Sequence, residues 1–210
     1  MADKINAPQT INVSGVNIQK NMIKNIKQEK EKTIVKFNNG AEISYTANKG
    51  KATIKRCGKQ ITISDLKNAS IHGTNSRDEF YIVDSENLKI HTKSGKDSIQ
   101  IFDSNNINID SGADDDWISV GQSTNLKITT NQGDDHVGLY NVENAVVESS
   151  GTVETGKANK IFVLGNKNTK VTGNAIQDGN GKFEPNLQNS IIDNVESKNV
   201  QIFYSKDVSM

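Results

Sequence analysis

The stretch Asp116-Trp-Ile-Ser-Val-Gly-Gln-Ser-Thr-Asn-Leu-Lys-Ile-Thr-Thr-Asn-Gln-Gly-Asp134 spans 19 residues and ends in an acidic turn like the one from which it starts. It contains two short pieces, Ile118/Val120 and Leu126/Ile128, in which apolar and polar residues alternate, as is typical of β-strands. The residues between these pieces are mostly Gly, Ser, Thr, Asn and Asp, which favour turns. Because 19 residues leave no room for a helix beside two strands and two turns, we predict one coil made only of strands and turns.

The same pattern recurs every 19 residues through the middle of the chain. Self-similarity at a short fixed period indicates a repeat architecture in which each unit buries its apolar face against the next. Two polar and four apolar columns share this frame: Asp78, Asp97, Asp116, Asp135; Asn68, Asn87, Asn106, Asn125, Asn144; Ile61, Phe80, Ile99, Ile118, Val137; Ile63, Ile82, Ile101, Val120, Leu139; Ala69, Leu88, Ile107, Leu126, Ala145; and Ile71, Ile90, Ile109, Ile128, Val147. We predict an all-β fold, a single-stranded parallel β-helix (β-solenoid) of about seven coils with about 19 residues each, whose four apolar columns point inward.

The frame divides the chain into two predicted parts. Residues 59–210 are the solenoid, with insertions at 150–158 and 173–188 that fall at the turn preceding the Asp column. Residues 1–58 are predicted to form an N-terminal cap and a mobile arm, because a solenoid end exposes unpaired strand edges and apolar core.

Two local patterns indicate the structure of residues 1–58. Asn38-Asn39-Gly40 stands between two apolar runs and predicts a β-hairpin. The spacing of apolar residues in 16–32 favours an amphipathic helix.

The composition excludes some partners. The chain has 25 basic and 25 acidic side chains, so it lacks the positive field of a nucleic-acid-binding protein. We see no signal-peptide pattern and no run near the roughly 18 apolar residues that span a membrane. We therefore expect no membrane span, and either export without a leader to the outside of a bacterial cell or a cytoplasmic location.

The Asn column predicts a scaffold. Asparagine tolerates a left-handed backbone, and its amide can bond the copy one coil away. We expect a ladder of stacked amides at a buried turn, as in other parallel β-helices, which this chain resembles.

The Asp column needs a compensating partner, because stacked carboxylates about 4.8 Å apart repel each other by on the order of 1 kcal/mol per pair. Four explanations stay open: backbone amides capped by the aspartates, the cations Lys96 and Arg77, a bound calcium ion, or a carbohydrate or other ligand.

The calcium explanation comes from a resemblance. Gly112-Ala-Asp-Asp-Asp116 and Gly133-Asp-Asp135, each followed by one residue and a large apolar residue, resemble the hemolysin-type (RTX-like) calcium-binding repeat GGxGxDxUx. The resemblance implies calcium held between successive turns by carboxylate and backbone oxygens. The implied metal ligands are Asp97, Asp114, Asp115, Asp116, Asp134 and Asp135.

Two further sets of residues are candidates for an outward surface. His72 and His91 share one column, which allows a two-histidine metal site without an evident third ligand. Tyr81, Phe102, Trp117 and Tyr140 fall at outward strand positions, where aromatic rings can bind sugars or a partner strand, or pack beneath neighbouring segments.

The function we expect is non-catalytic. A regular repeat favours a bacterial binding or structural protein, adhesin- or effector-like in role, with a protein or polysaccharide partner and calcium as a stabilising ion. The alternative is a polysaccharide-active, pectinase-like enzyme, because Gly133-Asp-Asp-His136 is similar to the G-D-D segment of polygalacturonases.

Overall fold

The computed structural model describes residues 9–48, 51–149, 160–164, 167–177, 183–185, 191–193 and 201–206. Within these residues the chain forms strands and one short 3-10 helix, Lys20–Met22. No helix in this described part has the length and apolar character that crossing a membrane requires. The strands are β1 Thr10–Val13, β2 Val16–Gln19, β3 Ile23–Glu29, β4 Lys32–Phe37, β5 Glu42–Thr46, β6 Thr53–Cys57, β7 Gln60–Ser64, β8 Lys67–His72, β9 Glu79–Val83, β10 Glu86–His91, β11 Ser98–Phe102, β12 Asn105–Asp110, β13 Trp117–Gly121, β14 Thr124–Thr130, β15 His136–Tyr140, β16 Glu143–Ser149, β17 Lys160–Leu164, β18 Lys167–Gln177, β19 Phe183–Pro185, β20 Ile191–Asp193 and β21 Gln201–Lys206.

The strands form two sheets, and the chain passes from one sheet to the other twice in each coil. Sheet 1 has the order β1-β2-β6-β7-β9-β11-β13-β15-β17-β20. Sheet 2 has the order β19-β18-β16-β14-β12-β10-β8-β5-β4-β3, and β21 also pairs with β18. From β7 to β16 all neighbours pair in parallel at an offset of one repeat, as Ile99 with Ile118 and Ile109 with Ile128 show. The fold is therefore a β-solenoid, as the repeat predicts, with about five regular coils where about seven are expected from the sequence.

The pairing continues beyond the fifth coil with longer spacing. Val137 pairs with Ile161, which fits extra residues in the preceding turn. The predicted insertion 150–158 itself lies outside the described residues. Within the predicted insertion 173–188, β18 pairs with β19 in an antiparallel hairpin, and β20 and β21 then add one parallel strand to each sheet.

The core lies between the two sheets. Every member of the four predicted apolar columns is buried, with exposures between 0% and 5%. In parallel coils, identical positions stack directly, so a column of Ile or Leu packs against its own copies. Each such side chain contributes roughly 1.5–3 kcal/mol relative to an exposed one. The prediction that these columns point inward is confirmed.

The strands before the first coil pair mostly antiparallel to their neighbours, with β2 and β6 as a parallel pair. The hairpin predicted around Asn38-Asn39-Gly40 is present as β4 and β5. Strand β5 then pairs with β8, and β6 pairs with β7, so these strands cover both edges of the first coil. That residues 1–58 stabilise the end of the solenoid as a cap stays a prediction.

The helix predicted for 16–32 is wrong. The segment forms β2, the 3-10 turn and β3. Val16 and Ile18 are fully buried and Asn17 between them is not, which is the period of two of a β-strand. Pairing of β2 with β1 and β6 therefore overrides the helical spacing that the longer window suggests.

Candidate functional site

Each coil has two turns, and a different ladder closes each of them. We call the turn from a sheet 1 strand to the following sheet 2 strand turn 1, and the turn back to sheet 1 turn 2. In turn 1 the backbone N–H of Ser85 donates to Ser104 Oγ at 3.1 Å, and that of Ser104 donates to Ser123 Oγ at 3.1 Å. These serines are buried, so their hydroxyls satisfy backbone groups that water does not reach. This ladder is not among the predictions from the sequence, although Ser85, Ser104 and Ser123 lie 19 residues apart.

The Asn column forms most of the predicted ladder beside turn 1, but Asn125 Nδ2 donates to Asn105 Oδ1 at 2.8 Å instead of to Asn106. Its five members have left-handed φ values between 53° and 57°. Asn87 Nδ2 donates to Asn68 Oδ1 at 2.9 Å, and Asn144 Nδ2 donates to Asn125 Oδ1 at 3.2 Å. The Asn side chains are exposed or half-buried, so the expectation that the amide ladder is buried is wrong. The amides lie at the outer side of the bend, where they join one coil to the next.

The Asp column closes turn 2 and points inward. Asp97 Oδ1 accepts the backbone N–H of Asp78 at 2.7 Å, Asp116 Oδ1 accepts that of Asp97 at 2.9 Å, and Asp135 Oδ1 accepts that of Asp116 at 3.0 Å. All four aspartates are at most 4% exposed. Asp97, Asp116 and Asp135 therefore cap the backbone of the preceding coil, whereas Asp78 Oδ2 accepts the Thr74 N–H at 2.6 Å within its own turn. Backbone capping is the first of the explanations left open by the sequence.

Burial also changes the charge of this column. It raises the pKa of Asp97 to about 7, that of Asp116 to about 8 and that of Asp135 to about 6. The bond from the backbone amide and the hydroxyls of Thr92, Ser111 and Thr130 lower these pKa values only in part. Part of the column is therefore protonated near neutral pH, and the expected repulsion between stacked carboxylates is reduced.

The other acidic residues of turn 2 lie nearer to solvent and have partners of their own. Asp114 Oδ2 accepts the backbone N–H of Gly95 at 3.0 Å. Asp115 pairs with the Lys96 ammonium through one oxygen and accepts the Asp134 N–H at 3.1 Å through the other. Like the inner column, these contacts join one coil to the next.

The six carboxylates expected to bind calcium are thus divided between the inside and the outside of turn 2. Among the residues whose placement is described, no three His, Cys, Asp or Glu side chains form a group that could hold a metal ion. Calcium takes six to eight oxygen ligands, and the donors here do not fit that demand. Calcium binding stays a prediction of the repeat resemblance alone.

The outer surface of sheet 1 carries aromatic side chains, and we call Tyr81, Phe102, Trp117 and Tyr140 the aromatic face. Trp117 is 45% exposed and Tyr140 41%, while the Tyr81 and Phe102 rings lie 5.9 Å apart.

Two glycines shape this face. A Cβ on Gly121 would lie 2.8 Å from the Phe102 ring, and one on Gly138 would lie 2.9 Å from the Tyr140 ring. Both rings therefore lie down against the sheet, over positions that only glycine leaves free. Nothing in the repeat pattern signals this role, because these glycines occupy columns that hold other residues in the other coils.

The outer surface of sheet 2 is charged by contrast. Lys127 pairs with Glu148 at 2.9 Å, and Lys67 pairs with Glu86 at 2.8 Å. A groove of about 500 Å³ lies between the β3–β4 turn and this surface, and its lining combines hydroxyl and amide side chains with the charged residues Glu29, Lys30, Glu31, Lys32 and Lys89. The two faces of the solenoid thus differ in chemistry.

Comparison with known proteins adds no further assignment. The chain matches no protein-family model, no curated protein and no solved structure.

Proposed function

We propose that this protein is a non-catalytic binding or structural β-solenoid, adhesin- or effector-like in role, and that its aromatic face contacts an uncharged polysaccharide. The observation that carries the proposal is the aromatic face itself, where exposed rings lie against a flat sheet on glycine positions. Aromatic surfaces of this kind present a large apolar area at little conformational cost.

The surroundings of the rings favour a neutral partner. Between them lie Ser98 and Gln100, which offer hydroxyl and amide groups, and Ser119, which is 8% exposed, while Glu79 beside Ser98 and His136 beside Trp117 border the patch. A patch of rings with neutral hydrogen-bonding groups matches the apolar faces and hydroxyl edges of neutral sugars. A charged partner would find more complementary groups on sheet 2.

The acidic turn supports a non-catalytic role. A glycosidase needs one carboxyl group as acid and another as base or nucleophile, facing the substrate from two sides. Asp116 and Asp135 are buried, and each uses one oxygen to bind a backbone amide. Asp115 is paired with Lys96. The pectinase-like alternative would need these groups to leave their partners and reach the surface.

The test is affinity electrophoresis through gels that contain soluble neutral glucans, xylans or mannans, with pectin as a charged polymer. We expect retardation by a neutral polymer, reduced at least tenfold in apparent affinity by Trp117→Ala or Tyr140→Ala. Lys127→Ala on sheet 2 is the matched control and should migrate like the parent. Unchanged migration in all these gels would refute polysaccharide binding by the aromatic face. Pectin turnover that is lost in both Asp116→Asn and Asp135→Asn would replace the proposal with the enzyme alternative.

A further inference from the structure

A row of potential metal ligands crosses the outer surface of sheet 2. His72, His91 and Asp110 occupy the same position in β8, β10 and β12, where they are direct neighbours in the parallel register. The two imidazole rings are 6.4 Å apart between centroids, at an interplanar angle of 73°. All three side chains are partly exposed. Adjacent coils therefore present two imidazoles to the same region of solvent.

Asp110 orients the second imidazole. His91 Nδ1–H donates to Asp110 Oδ2 at 3.0 Å, and Asp110 Oδ1 accepts a bond from Asn131 Nδ2 at 2.7 Å. A carboxylate on Nδ1 selects the tautomer in which Nε2 carries the free lone pair. Metal-binding histidines are oriented in the same way by a carboxylate or carbonyl on their other nitrogen. This chain of contacts prepares Nε2 of His91 as a donor.

The first coordination shell would contain two imidazoles and no third side chain. Glu42 is the neighbour of His72 on β5, but its carboxylate is paired with Lys36 at 3.3 Å. No group of three His, Cys, Asp or Glu donors occurs in the described parts of the chain. Water would fill the remaining positions, so the site suits an ion that binds well to few imidazoles.

We propose that His72 and His91 form a surface site for a divalent transition-metal ion, with Cu²⁺ bound more tightly than Ni²⁺ or Zn²⁺. Imidazole suits these three ions, and Cu²⁺ stands highest in the order of affinities. With metal–nitrogen bonds of about 2.0–2.1 Å, two imidazoles on one ion place their centroids roughly 6 Å apart or closer. The observed centroids lie 6.4 Å apart, so the rings would have to approach slightly and turn both Nε2 atoms towards one ion. The ion would join two consecutive coils.

The test is isothermal titration of untagged protein with Cu²⁺, and then with Ni²⁺ and Zn²⁺. We expect one strong equivalent of Cu²⁺, weakened at least tenfold by His72→Ala or His91→Ala. The chain has three histidines, and His136→Ala, on sheet 1, is the matched control that should bind like the parent. Asp110→Asn should weaken binding about tenfold while both imidazoles remain. Circular dichroism verifies that each variant is folded.

Two results would overturn the proposal. One is a titration in which His72→Ala and His91→Ala bind Cu²⁺ like the parent, which would place the ion elsewhere. The other is equal binding of Cu²⁺ by Asp110→Asn and the parent, which would show that the Asp110 carboxylate does not orient His91 Nε2 for the ion.

Discussion

Substitution of Asp116 by asparagine isolates the charge of the buried Asp column. The Asp116 carboxyl group is 2% exposed, and its Oδ1 accepts the Asp97 N–H at 2.9 Å. Asparagine keeps this acceptor and nearly the same shape. It cannot become charged, so the variant removes only the cost of ionising a buried group.

The sign follows from the raised pKa. Burial raises the pKa of Asp116 to about 8 from an ordinary value of 3.8. Because the folded chain holds this proton more tightly than the unfolded chain, stability is fully present below about pH 4 and is lost as the pH rises to about 8. One pKa unit between the two states corresponds to about 1.4 kcal/mol, so the interval from pH 5 to pH 9 would cover about 4 kcal/mol. Polar groups and water near the turn screen part of this, and we expect about 2 kcal/mol.

The assay is urea unfolding at pH 5 and at pH 9 in the same salt. The free energy of unfolding of the parent should fall from pH 5 to pH 9. That of Asp116→Asn should fall by about 2 kcal/mol less, because one of the ionising groups is gone. Asp103→Asn is the matched control, since Asp103 is exposed in turn 1 of a neighbouring coil. An equal loss of stability with pH in the parent and in Asp116→Asn would refute the reasoning about this column.

Three other outcomes follow from the same structure. Ile118→Ala removes a side chain that is 0% exposed and should lower the free energy of unfolding by about 2–5 kcal/mol in urea titrations, whereas Thr62→Ala on the outer surface should cost far less. Gly138→Ala should lower the melting temperature and displace the Tyr140 ring, because the added Cβ would lie 2.9 Å from it; an unchanged tyrosine environment by NMR would contradict this. Calcium that binds only the folded chain would add about 2.7 kcal/mol to the free energy of unfolding at a hundred times its Kd. Since no three His, Cys, Asp or Glu side chains of the described residues form a group that could hold a metal ion, we expect the same melting temperature in calcium and in chelator. A higher one that Asp115→Asn abolishes would establish the calcium site.

The sequence predicts the solenoid well because the repeat is a packing constraint. A column such as Ile99 and Ile118 keeps its 19-residue interval only if each coil stacks on the last, so the interval fixes the register, and the apolar side chains of the column fix its inward direction. The Asn ladder follows for the same reason, because residues one repeat apart meet across the coil boundary.

Other features depend on information that the repeat does not contain. An Asp column can face the core or the solvent with the same interval, and aspartate is ordinarily exposed. Its burial follows from the backbone amide that each carboxyl group caps, as for Asp97 and Asp78. The strands in place of a helix in 16–32 depend on pairing with β6, which is distant in the sequence. The role of Gly121 and Gly138 depends on where neighbouring rings lie.

Tryptophan fluorescence measures the proposed binding at the aromatic face most directly, because Trp117 is the only tryptophan of the chain. Titration of the parent with the neutral polysaccharide that retards it in gels should change the emission of this residue with a saturable dependence on concentration. The apparent affinity obtained from this titration should fall at least tenfold in Tyr140→Ala and should equal that of the parent in Lys127→Ala. An emission spectrum that stays constant through the titration, or a change that Tyr140→Ala leaves intact, would contradict a binding surface on sheet 1.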